Sequence, residues 1–127
     1  RPSQEGAEQQ VLESVAIECP LHDWRDRPRA EVEQALYQAL GTLQHEAMDL
    51  SAGPPFRMAL FRLADDEHVF AFVVHHLVWD GWSFDLLYRD MSALYAAALA
   101  GETPRLPALP LEYGDFCVWQ KAVLESG

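Results

Sequence analysis

The chain has 127 residues, half of them hydrophobic, which suffices for one globular domain with a packed core and argues against disorder. Nine Lys and Arg against 20 Asp and Glu give a formal charge of -11, which repels a phosphate backbone and argues against nucleic acid or an anionic membrane surface as a partner. Two cysteines, Cys19 and Cys117, are far apart and lack C-x-x-C spacing, so neither a disulfide framework nor a zinc knuckle is indicated and a reducing, cytoplasmic location is expected.

Residues 1–9 are polar, and the start at Arg1-Pro2 without an initiator Met reads as a piece of something longer or a processed chain. Gln10 to Glu18 alternates in the manner of a strand, with Val11, Val15 and Ile17 on one side. From Arg29 to about Asp49, Val32, Leu36, Leu40 and Leu43 recur at helical spacing, with Pro28 suited to a first helical position. Ser51-Ala-Gly-Pro-Pro55 must end that helix, because proline lacks an amide donor and restricts the residue before it.

Phe56 to Leu63 and His68 to His76 read as two strands joined by the hairpin connection Ala64-Asp65-Asp66-Glu67. The second carries apolar residues on both faces and is expected to be a central, doubly covered strand. A helix follows from about Ser83 to Ala100, stopped by Gly101, and after the Pro-rich connector 106–110 another runs from Tyr113 to about Glu125. The order β-α-β-β-α-α predicts an α/β layer, a mixed sheet with flanking helices.

The chemistry concentrates in His75-His-Leu-Val-Trp-Asp-Gly-Trp-Ser83. Successive strand side chains point to opposite faces, so one histidine should enter the core. The other, His76, then stands beside a strand-to-helix turn, where α/β proteins usually place ligands. Asp80 is placed to cap the next helix, hold an arginine or orient an imidazole, and Gly81 to take the positive φ of a sharp reversal. A lone strand histidine is more often structural than catalytic. Adjacent histidines diverge and no Cys/His cluster joins them, so no metal site is expected. Ser83 lacks a G-x-S-x-G elbow and reads as a helix cap.

Three ordered segments resemble nonribosomal peptide synthetase condensation domains, of the chloramphenicol-acetyltransferase-like superfamily. HHLVWDG at 75–81 is similar to their H-H-x-x-x-D-G signature, Tyr113-Gly-Asp-Phe-Cys-Val-Trp-Gln120 to a Y-x-D-F-x-x-W-Q motif, and Asp49-Leu-Ser-Ala-Gly-Pro-Pro-Phe-Arg57 to a D-L-x-x-G-P-x-x-R segment. The resemblance implies one lobe of a two-lobed fold, with 1–127 as a partial domain holding most of the N-terminal lobe and the second lobe absent. It implies His76 as the catalytic residue, with His75, Asp80 and Gly81 structural in the motif and Trp79, Trp82 and Ser83 as candidates for a substrate tunnel. The family's buried aspartate pairs with an arginine from an upstream motif that this chain does not contain, so Arg57 and Arg62 are the in-chain candidates. The intact histidine pair argues against the heterocyclisation subtype, in which aspartates replace it.

The implied reaction is amide bond formation between a donor acyl or peptidyl thioester and an acceptor aminoacyl thioester. Both ride on phosphopantetheine arms of upstream and downstream carrier proteins, and no cofactor is bound directly. An imidazole is suited to take the amine's proton near neutral pH, or to orient the amine while tethering supplies proximity. Two other functions fit the same residues: a non-catalytic carrier-docking or scaffold fragment that pairs with the missing lobe, and a related O-acyltransferase.

Overall fold

The computed structural model describes residues 12–126 and, ahead of them, only the backbone of two paired two-residue strands, β1 (Pro2–Ser3) and β2 (Gly6–Ala7). The chain divides into two compact units, residues 1–80 and 81–127.

The first unit is built on a three-stranded sheet in the order β3 (Leu21–Asp23), β4 (Phe56–Arg62), β5 (His68–Val74), covered on one face by helix α1 (Arg29–His45). β4 and β5 form the expected antiparallel hairpin, with Phe56 opposite Val74 and Arg62 opposite His68, and β3 runs parallel to β4. Strand alternation sets Ala59 and Phe61 beside Ala71 and Val69 on one face. Leu36, Ala39, Leu40 and Leu43 of α1 pack there with Trp24. The buried centre is Ala59, Phe61 and Ala71, and Phe61, 3% exposed, packs against the His22 ring at 4.9 Å and the Trp24 ring at 4.8 Å.

Three expectations are corrected. Residues 12–18 form no strand, and the positions 10 and 11 lie outside the described residues. Leu12, Val15 and Ile17 are exposed, so their alternation has neither a ladder partner nor a core to face. β5 is an edge strand of this sheet, with β4 central, and its Phe70 is 38% exposed on the face away from α1. The helix begun at Arg29 ends at His45, not near Asp49, because Glu46 turns extended at ψ 128°.

A side chain explains that early stop. Arg57 of β4 donates from Nη1 to the Glu46 carbonyl at 2.6 Å and to Leu43 at 3.5 Å, and from Nη2 to the Ala47 carbonyl. A cation on the otherwise unsatisfied carbonyls at a helix C-terminus satisfies them and complements the helix dipole. Asp49 builds the turn that follows, its carboxylate accepting Ser51 N–H at 2.9 Å and Ser51 Oγ–H at 2.6 Å. Arg57→Ala is expected to destabilise the domain by about 2 kcal/mol, the scale of hydrogen bonds to a charged group, read as a lower urea midpoint with an unchanged slope. A change under about 0.5 kcal/mol would contradict this capping role.

Ion pairs gather at the hairpin end of the sheet. Arg25 bridges Asp23 at 2.7 Å and Asp65 at 2.9 Å, Arg62 also reaches Asp65 at 2.9 Å, and Arg29 at the start of α1 grips Glu67 with both terminal nitrogens. Hydrogen bonds from Arg25 hold the Asp23 carboxyl at about 2, below its ordinary 3.8, and Arg29 lowers Glu67. Carboxyls with depressed folded-state values stabilise above their unfolded values and lose that contribution as pH falls through the folded ones. Thermal melting should therefore be level from about pH 7 to 5 and decline between roughly pH 4 and pH 2, the decline being shallower in molar salt. A melting temperature rising on acidification through that window would refute the assignment.

The second unit holds helices α2 (Gly81–Ala100) and α3 (Tyr113–Glu125). α2 ends in a Schellman turn. Gly101 takes φ +68°, Glu102 N–H reaches the Ala97 carbonyl at 2.9 Å, and Gly101 N–H reaches that of Ala98 at 3.3 Å. α3 opens with the Asp115 carboxylate accepting the Glu112 N–H at 2.9 Å, and Tyr113, Phe116 and Trp119 line one side with tilted rings, centroids 6.0 and 5.7 Å apart. No helix among the described residues is long and apolar enough to cross a membrane.

Candidate functional site

β5 ends at Val74, and the two histidines fall just beyond it. His75 N–H still donates to the Pro55 carbonyl at 2.8 Å, which anchors this point to the start of β4. The chain then reverses at once: Val78 N–H donates to the His75 carbonyl at 3.2 Å, closing a β-turn over His75-His76-Leu77-Val78. No non-glycine residue here has positive φ, so both central residues stay in ordinary turn conformations. His76 is the first of these and is exposed. Among the described residues its imidazole has no hydrogen-bond or ion-pair partner.

His75 differs from the expectation that one histidine enters the core: it too is exposed. The turn begins at His75 itself, so strand alternation no longer governs its direction. Its Nδ1 accepts the Leu77 N–H at 3.1 Å instead. Trp79 packs on Phe72 at 5.3 Å, and Phe72 in turn touches Phe56 at 5.7 Å and Phe70 at 6.4 Å, an aromatic run on the sheet face away from α1.

Asp80 is exposed where burial was expected, and no buried polar or charged side chain occurs among the described residues. Arg57 is engaged with the end of α1, and Arg62 stands at the hairpin end of β4 with Asp65, the opposite end from His75. Gly81 is also corrected: it is the first residue of α2 without positive φ, since the turn at 75–78 has already reversed the chain. Within the second unit, Trp82 is 75% exposed and Ser83 half-buried in the first turn of α2. Among the described residues no group of three or more His, Cys, Asp or Glu is placed to hold a metal ion.

The described strands and helices make a mixed α/β architecture of the chloramphenicol-acetyltransferase-like class. It superposes on the starter condensation domain of rhizomide synthetase with a TM-score of 0.78 at 21% identity, covering 99% of this chain and 30% of that one. The chain belongs to the condensation domain family, whose model matches residues 3–127. It is 49% identical over 89 residues to a cyclosporin synthetase of Tolypocladium inflatum, covering 68% of this chain and 1% of that protein, so it spans a small part of such a relative. A complex of the X-domain and OxyB from teicoplanin biosynthesis contains a further match, with 27% identity and a TM-score of 0.79, covering 98% of this chain and 26% of that one.

Set against this family, the three resembling segments separate into folding devices and one unengaged group. Asp49 builds a turn, Arg57 caps a helix end and Asp115 caps a helix start. Sequence spacing did not reveal the capping role of Arg57, since its carbonyl partners lie 10 to 14 residues back and meet it only through the fold.

Proposed function

We propose that this chain is most of the N-terminal lobe of a condensation domain that forms an amide between a donor acyl or peptidyl thioester and an acceptor aminoacyl thioester, with His76 as the reacting group. The observation that carries this reading is the exposed His76 imidazole, unengaged among the described residues, at the corner of a turn anchored to β4. Family membership supplies the reaction class.

In this reading a second lobe of the same domain completes a tunnel, and upstream and downstream carrier proteins present their phosphopantetheine-bound substrates. The acceptor amine attacks the donor thioester carbonyl, His76 takes the amine's proton, and the tetrahedral oxyanion collapses with departure of the donor carrier's thiol. The C–N bond forms, the C–S bond breaks, and the proton passes by way of His76 to the thiolate. Trp79, braced by Phe72, and Trp82 and Ser83 are candidates for the tunnel wall. Incubating the complete domain with donor- and acceptor-loaded carriers, beside the same donor and an alcohol acceptor, should give amide product by mass spectrometry. Ester in place of amide would move the chain to the O-acyltransferases.

A docking role is the second reading, favoured by the match within a complex of an X-domain and OxyB, a pair of proteins bound to each other. Carrier binding without any product from the complete domain would support it.

A further inference from the structure

We infer that His75 is a positioning residue, whose ring fixes the backbone of His76 by accepting the Leu77 amide at Nδ1. This rests on the reading of His76 as the reacting group, but its geometry stands apart from that reading. The His76 side chain has no tether among the described residues, so where its imidazole lies depends on its own backbone. Two hydrogen bonds span that backbone, Val78 N–H to the His75 carbonyl at 3.2 Å and Leu77 N–H to His75 Nδ1 at 3.1 Å. The first is the ordinary closure of a β-turn. The second is a side-chain turn nested inside it, of the kind asparagine makes, because Nδ1 of histidine and Oδ1 of asparagine stand the same number of bonds from Cα. The His75 N–H bond to Pro55 at 2.8 Å fixes the other end of the device to β4.

The chemistry constrains the ring. A nitrogen that accepts carries no proton, so His75 must hold its ring hydrogen on Nε2. Protonation of both nitrogens, or the opposite tautomer, would break the nested turn while leaving the outer one.

The test uses the complete domain with ¹⁵N-labelled histidine and the variants His75→Ala and His75→Asn. Nitrogen correlation spectra should show His75 Nδ1 unprotonated and Nε2 protonated. Exchange of the Leu77 amide should be about tenfold faster in His75→Ala and near native in His75→Asn, the factor one ordinary hydrogen bond sustains. Amide formation should follow the same order: kcat about tenfold lower for alanine with KM for the loaded acceptor little changed, and rescued by asparagine. A proton on Nδ1, or asparagine no better than alanine in Leu77 exchange, would overturn the inference. If the exchange pattern holds while His76→Ala leaves turnover intact, the nested turn stands, and both the function proposed for His76 and the positioning of a reacting group fall.

Discussion

His76→Ala in the complete domain is expected to lower amide formation by about 10²- to 10⁴-fold, the range a positioned general base contributes. The same substitution should leave the unfolding free energy measured in urea within about 0.5 kcal/mol of native, because an exposed ring without a partner among the described residues contributes little to the fold. The combination separates a chemical role from a structural one. A matching loss of stability and activity would show instead that the turn collapses, and unchanged activity would remove His76 from the reaction.

Phe61→Ala should produce the largest loss of stability in the first unit, about 3–5 kcal/mol. Phe61 is 3% exposed at the centre of the sheet face covered by α1, with two aromatic neighbours, His22 and Trp24, against its ring. Truncation leaves a cavity bounded by the His22 and Trp24 rings and by Ala71, residues held by the sheet and the loop after it and so poorly placed to close in. Urea unfolding with an unchanged slope measures the loss. A change below about 1 kcal/mol would mean that the β4–α1 contact is not the core of this unit.

These two residues also show what was legible beforehand. The three helices and the β4–β5 hairpin follow from periodicity and breaker residues, because each is written in consecutive side chains. Gly101 was readable as a stop for the same reason, and its positive φ serves that end of α2. β3 was not readable: it is three residues long and exists through its parallel pairing with β4, some 39 residues on. The alternation of residues 12–18 misled in the opposite direction, since a strand requires a partner that the sequence does not display. His76 was legible as the candidate through resemblance, whereas the exposure of His75 was not, because alternation holds only while the strand continues. The helical φ of Gly81 depended on where the chain reversed, a few residues before the glycine that was expected to do it.

In the proposed reaction His76 moves the amine's proton while its neighbours shape the turn that presents it. Single-turnover amide formation by the complete domain, with donor- and acceptor-loaded carriers and His76 replaced by glutamine, tests this most directly. Glutamine can hold the amine by a hydrogen bond but cannot take up its proton near neutral pH. The expected rate for His76→Gln is at least about 100-fold below native, with product still formed by the native domain. A His76→Gln rate close to native would contradict it, leaving orientation of tethered reactants as the source of the acceleration.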